Sequence, residues 1–352
     1  MTRFQKQSLS GLLKILPAVF FLSTVLWSCS NGPKSSGSSY EKVKQQEDSI
    51  RMLTRQIEND SANGELFSKR AALYLKSGRI DPAFRDVGQA IELNPEAAVN
   101  FIMLGDIYFV LGKIDNCISA YKKAARLEPE NEKPLLKLAE TYLMLRDFGK
   151  AAVYINRAIA VNPNSSMAFY FKGIELMETG DTLQSITQLR IAANLDSSNY
   201  RALMQAGALL SAVRDTLSVE YFTAALKARP EDEKALYYLA RELQEQGKFD
   251  QAIAKYGKVN ILYAENKMAY YNEGYIYLVE KKEYGNAVEA FEQAIAIDPS
   301  FVEAVYNLGR TFEAMGRYDE AREQYKTALK LKTNYPLAID GLNRLDSIQF
   351  PE

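Results

Sequence analysis

Small residues return along this chain about every 34 positions: Ala71, Gly105, Ala139, Gly173 and Gly207, then, after a slip of one, Ala240, Gly274 and Gly309. A second small residue follows each of them, at Ala83, Cys117, Ala151, Ser185, Ser218, Ala252, Ala287 and Ala321. A third small or β-branched one comes seven residues later, from Ala90 to Ala328, with Val259 the largest. Between the second and third stands a bulky side chain: Val87, Tyr121, Ile155, Leu189, Phe222, Tyr256, Phe291 or Tyr325. Small residues let two helix axes approach, and large ones fill the hollow that the approach leaves. Glycines at 78, 112, 180, 247 and 316 fall between the two helices of a unit, where a left-handed backbone costs glycine least. Pro95, Pro129, Pro163, Pro230 and Pro299 close five of the units. The pattern predicts eight helix pairs.

One such pair leaves an apolar face uncovered, so the units must stack in order and end in caps. The fold class is therefore all-α, an α-solenoid. Residues 40–63 read as an N-terminal capping helix or half-repeat, with Ile50, Leu53 and Ile57 as its apolar stripe. Residues 334–352 read as a C-terminal capping helix opened by Pro336, with Leu337, Ile339, Leu342 and Leu345 inward. The register slips after Leu210 and recovers between Tyr277 and Ala287. One deletion and one insertion, both placed in inter-helix turns, account for it.

A helix-pair period of this length resembles the tetratricopeptide repeat family, over residues 64–333. The resemblance implies a right-handed superhelix whose first helices line a concave groove. Around each first-helix small residue, the groove would take the residues three before and one after. The three-before set includes Tyr170, Tyr237, Tyr271 and Tyr306; the one-after set includes Arg241, Tyr275 and Arg310. Tyr and Arg dominate binding hot spots, and a fixed cation beside aromatic faces suits a partner segment with apolar anchors and a carboxylate. The alternative reading of the same side chains is packing against the neighbouring repeat. Ser68, Ala72, Ile102 and Asp106 do not match the lysine and asparagine with which some members of the family clamp chaperone tails.

The N-terminus carries a second signal. Arg3, Lys6 and Lys14 precede an apolar run from Ile15 to Leu26, too short to span a bilayer permanently. Leu26-Trp27-Ser28-Cys29 resembles a bacterial lipobox, with Trp27 where a small residue is usual. That implies a lipoprotein signal over residues 1–28, acylation of Cys29, and a flexible Ser/Gly-rich tether over residues 29–39. Ser30 after the cysteine implies the outer membrane, facing the periplasm, with surface display left open.

Composition points away from catalysis. The chain has 352 residues and no histidine, which removes the commonest general base and metal ligand. Its 43 basic and 44 acidic residues give no overall charge to attract nucleic acid. Cys117 stands in a packing position, and no phosphate-binding loop or metal-ligand cluster is present in the sequence. The chain is thus expected to be no enzyme, to need no cofactor or metal, and to act as a membrane-anchored scaffold for a protein partner. Capture of glycans or peptides for nutrient uptake is the alternative. The near-absence of insertions between repeats, and a single Trp27 in the leader, favour the scaffold.

Overall fold

The computed structural model describes residues 36–349. The lipobox, Cys29 and most of the tether lie outside them. The described chain folds into eighteen α-helices and one π-helical turn, with no strand among the described residues. It divides between Leu195 and Asp196 into two compact units.

The N-terminal unit begins with α1 (Ser36–Asn59). Four helix pairs follow: α2 (Gly64–Lys76) with α3 (Ile80–Leu93), α4 (Ala98–Val110) with α5 (Ile114–Leu127), α6 (Glu132–Met144) with α7 (Phe148–Val161), and α8 (Ser166–Glu178) with α9 (Thr182–Leu195). The C-terminal unit holds α10 (Tyr200–Ala212) with α11 (Ser218–Ala228), α12 (Glu233–Glu245) with α13 (Phe249–Leu262), α14 (Lys267–Ile276) with α15 (Tyr284–Ile297), and α16 (Val302–Ala314) with α17 (Tyr318–Leu331). A last helix, α18 (Pro336–Gln349), closes it.

Local chemistry sets the helix ends. Asn63, Asn131, Ser165, Asn199, Asp232 and Asn266 each accept a backbone N–H of the first helix that follows, satisfying a donor the helix cannot use itself. Within each pair the first helix ends in a left-handed residue, and in seven of the eight an N–H five residues on returns to the helix, as Arg79 does to the Tyr74 carbonyl (2.9 Å) and Lys113 to Tyr108 (2.8 Å).

Size complementarity holds each pair together. Tyr121, Phe222, Tyr256, Phe291 and Tyr325 are among the largest fully or almost fully buried side chains. A Cβ placed on Gly105 would sit 2.3 Å from Cε1 of Tyr121, and one on Gly309 2.8 Å from Cε1 of Tyr325. Where the second helix offers only Val87 or Ile155, the first helix carries alanine, at Ala71 and Ala139. Ala240 opposite Tyr256 is the exception.

Three details differ from the sequence reading. Of the two register changes, the deletion lies in the connection after α10, as expected, and the insertion lies in a helix. After α10 the closing bond is intact (Asp215 N–H to Leu210 carbonyl, 2.8 Å), the missing residue falls between Asp215 and Ser218, and α11 keeps 11 residues where α3 has 14. The extra residue after α14 widens the helix into a π-helical turn, Tyr277–Lys281, closed by the Glu283 N–H on the Tyr277 carbonyl (3.0 Å). The first helix starts at Ser36, inside the expected tether, since extending a formed helix through three serines and Gly37 costs only up to about 1 kcal/mol per residue. In α18 the inward face is Ala338, Gly341 and Leu345, whereas Leu337 and Ile339 are each 38% exposed. Gly341 explains the rotation: only glycine fits against Tyr325, whose Cε2 lies 2.6 Å from where its Cβ would be.

At the other end α1 buries Ile50, Leu53 and Ile57. Arg70 of α2 binds both carboxylate oxygens of Asp86 on α3 (2.7 and 2.8 Å) and donates to Thr54 Oγ1 of α1 (3.0 Å), so one guanidinium joins three helices.

Candidate partner-binding face

The C-terminal unit brings six of the seven sequence-derived groove residues onto three successive first helices: Tyr237 and Arg241 on α12, Tyr271 and Tyr275 on α14, Tyr306 and Arg310 on α16. Tyr170 is on α8 in the N-terminal unit, half-buried, with its ring 5.5 Å from that of Phe171.

Within the C-terminal unit the two rows do different work. The three-before tyrosines form the seam between repeats. The Tyr237 ring meets Tyr256 of its own pair at 5.9 Å, and its hydroxyl accepts from Asn272 Nδ2 on the next first helix (3.1 Å). Tyr271 repeats the arrangement one unit on, against Phe291 (5.9 Å) and Phe301 (5.0 Å), its hydroxyl accepting from Asn307 Nδ2 (3.0 Å). Tyr306 is only 9% exposed, between Tyr325 and Tyr335, each at 5.7 Å. Burial raises all three phenols above their usual range, Tyr271 to about 12, so they stay neutral hydrogen-bonding groups.

The one-after row keeps its polar ends available. Arg241 donates to Ser211 Oγ (3.3 Å) and approaches Glu242 at 3.7 Å, with its guanidinium 5.3 Å from the Tyr238 ring centroid. Glu242 already accepts from Ser218 Oγ (2.8 Å) and from Ser211. Arg310 donates to Asn307 Oδ1 (3.0 Å) and lies 5.9 Å from the Tyr306 centroid, and its charge reaches Glu313 three residues on without an ion pair at contact distance. Tyr275, between them in helix order, is half-buried against the core. Asn307 links the rows, receiving Arg310 on its oxygen and giving its amide to Tyr271.

Sequence reasoning missed Asn272 and Asn307. Their signal was present: each stands two residues before a first-helix glycine, Gly274 or Gly309. Glu273 was missed as well. Its carboxylate accepts from Asn260 Nδ2 (2.6 Å) on α13 and forms no ion pair among the described residues, while buried Asn260 Oδ1 has no partner. Burial raises this acid from 4.5 to about 7, against the opposing hydrogen bond. The folded chain therefore holds the proton more tightly than the unfolded one. That contribution is complete below about pH 4.5 and is lost as pH rises through 7. Relative to Glu273→Gln, the unaltered protein is expected to lose on the order of 2 kcal/mol of stability between pH 5 and 8, after allowance for partial exposure. Urea unfolding of both proteins at the two pH values checks it; parallel curves would show that Glu273 ionises freely.

No group of three or more His, Cys, Asp or Glu is arranged to hold a metal among the described residues. No helix among them is long and apolar enough to cross a membrane.

The comparisons with known proteins agree with this architecture. Three tetratricopeptide repeat models match, over residues 105–145, over 216–259 and 237–300, and over 278–342. This chain is a tetratricopeptide repeat protein. It is 27% identical over 215 residues to the TPR repeat-containing protein MJ1428 of Methanocaldococcus jannaschii, covering 58% of this chain and 37% of that one. It is 33% identical over 110 residues to the small glutamine-rich tetratricopeptide repeat-containing protein 2 of Saccharomyces cerevisiae, covering 29% of this chain and 32% of that one. The chain thus spans about a third of the length of these curated relatives. Among solved structures, the C-terminal part of a TPR repeat-containing protein from Cytophaga hutchinsonii superposes with a TM-score of 0.58 at 19% identity, over 68% of this chain and 98% of that one. Pseudomonas aeruginosa pilF gives 0.52 at 16% identity, over 58% and 93%. These structures share the fold. Tetratricopeptide repeat proteins typically serve as interaction scaffolds that bind protein partners in their groove.

Proposed function

We propose that the protein is a lipid-anchored scaffold of the bacterial cell envelope that holds a protein partner on the first-helix face of its C-terminal unit. The observation that carries the reading is the row Arg241, Tyr275 and Arg310. It carries a guanidinium on α12 and another on α16, with a half-buried phenol on the intervening first helix, and Arg310 has no ion pair within 4 Å among the described residues. An Arg fork whose own partners occupy only part of it is a ready partner for a carboxylate, and a ring on the neighbouring helix offers an apolar seat. The tyrosines at 237, 271 and 306 support that row from behind and keep the three first helices in register. Tyr170 stays in the proposal as a separate contact on the N-terminal unit.

Arg241→Ala with Arg310→Ala is expected to weaken the partner by roughly 30-fold, about 2 kcal/mol, with the helical signal and melting unchanged. Full affinity in this variant would place the site elsewhere. Tyr271→Ala is the poorer probe, since it also removes a seam contact. The anchor rests on the lipobox resemblance alone: Cys29→Ser is expected to move the protein from the membrane to the soluble fraction, and retention in the membrane would count against acylation.

A further inference from the structure

We infer that the second helices α5 and α7 of the N-terminal unit form a docking site of their own, which receives an acidic protein segment through one apolar side chain flanked by carboxylates. The site uses other helices than the row Arg241, Tyr275 and Arg310 and does not depend on it.

The first observation is a local excess of positive charge in a chain whose formal net charge is -1. Across α5 and α7 the one carboxylate is Asp115, against Lys122, Lys123, Arg126, Lys150 and Arg157. The first helices of the same pairs carry both signs, with Asp106, Glu132 and Glu140 beside Lys133 and Lys137. Lys150 is paired with Asp147, and Lys123 rests 5.7 Å from the Phe101 ring centroid. Lys122, Arg126 and Arg157 form no ion pair among the described residues. Glu128, the nearest acid along the chain to Arg126, accepts from Asn131 Nδ2 instead (2.7 Å). Cations gathered without counter-charges repel one another, and an anionic partner relieves that repulsion.

The second observation is that these three side chains surround one hollow. Lys122, Ala125 and Arg126 of α5, Leu138 of α6, and Tyr154 and Arg157 of α7 enclose about 170 Å³. Ala125 and Leu138 are buried and form its floor. Tyr154 is fixed as a wall by stacking on Tyr142 of α6, with centroids 5.6 Å apart and ring planes within 7°. The Arg157 guanidinium lies 5.6 Å from the Tyr154 centroid. Val153, one turn before Arg157, is 55% exposed and continues the apolar surface. Lysine and arginine stems can line such a hollow while their charged heads stay in water.

Size and chemistry together choose the occupant. Pockets for small molecules begin at roughly 300 Å³, so this one suits a single side chain of a larger partner. Its floor and walls call for an aliphatic or aromatic anchor, and its three cations for carboxylates on either side of that anchor. Single-stranded nucleic acid would need an open aromatic face on which to stack a base. Tyr154 offers none, since Tyr142 and Arg157 already lie against it.

The test pans a phage-displayed library of random dodecapeptides against the full chain. Enriched sequences are expected to carry one Leu, Ile, Met or Phe between Asp or Glu residues. A synthetic peptide of the enriched sequence is then titrated against variants. Arg126 and Arg157 are exposed, so Arg126→Glu with Arg157→Glu is expected to keep the helical signal and weaken the peptide roughly tenfold or more. Lys122→Gln with Arg126→Gln is the milder probe, expected to give a smaller loss in the same direction. Lys258→Glu with Lys330→Glu, on α13 and α17, changes net charge equally and is expected to leave binding as it was. Enrichment of no acidic sequence, or unchanged affinity in both α5 variants, overturns the inference. An equal loss in the variant altered on α13 and α17 also overturns it, since net charge alone would then explain binding. So does a single-stranded oligonucleotide that binds more tightly than the peptide and is lost with Arg126 and Arg157.

Discussion

Replacing Asp86 with alanine is expected to destabilise the N-terminal end of the array by about 3 kcal/mol, the cost of leaving a guanidinium that is only 15% exposed without its counter-charge. Asp86 is 6% exposed, and it alone takes both nitrogens of the Arg70 fork. Because Arg70 also donates to Thr54, the effect should not stay within α2 and α3. Hydrogen exchange is the suitable readout: α1, α2 and α3 should lose protection together, while helices of the C-terminal unit keep theirs. Replacing both partners with apolar residues, as in Arg70→Met with Asp86→Leu, should recover most of the loss, since desolvation of the pair is then removed with the attraction. If Asp86→Ala alone leaves α1 fully protected, the helix is held by Ile50, Leu53 and Ile57 without the ionic junction.

Phe291→Ala is expected to cost as much or more, about 3–5 kcal/mol, in the C-terminal unit. The ring is fully buried, and it fills the space that Gly274 leaves open: a Cβ on Gly274 would lie 3.0 Å from both Cδ1 and Cε1. It also backs Tyr271, so the cavity reaches the seam behind the proposed binding row. Gly274→Ala by itself should crowd the ring and cost less, about 1–3 kcal/mol. Combining Gly274→Ala with Phe291→Ile rebuilds the pairing that Ala139 makes with Ile155. The double variant should therefore lose clearly less than the sum of the Gly274→Ala and Phe291→Ile losses in urea unfolding. Strict additivity would show that the two positions do not share one packing space.

The helix pairs were legible in the sequence because their physical cause is stereochemical and periodic: a small residue must face a large one, every time. What was not legible depended on distances that a one-dimensional pattern lacks. The exchange between Gly341 and Tyr325 turns α18 by an amount that no count of apolar residues reveals, so Leu337 and Ile339 end outside. The two register changes were visible, and the deletion falls in the connection as expected, but nothing in the pattern showed that the extra residue would widen a helix into the π-helical turn at Tyr277–Lys281. The candidate face divides in the same way. Helical spacing put Tyr237, Tyr271, Tyr306, Arg241, Tyr275 and Arg310 on one aspect of three helices, yet it could not separate the tyrosines spent on the seam from the one-after row. Asn272 and Asn307 make that separation, since each occupies a phenol oxygen of the preceding repeat.

The central claim, that the row Arg241, Tyr275 and Arg310 receives a protein partner, is tested most directly by a photo-crosslinking residue placed at Tyr275 in living cells. One control carries the crosslinker at Leu183 on α9, 75% exposed and far in sequence from the row. A second keeps the crosslinker at Tyr275 and adds Arg241→Ala and Arg310→Ala. The account predicts one discrete protein joined at Tyr275, absent from Leu183 and strongly diminished without the two arginines. A product equally strong in both controls, or only glycan and assorted peptides, would contradict it.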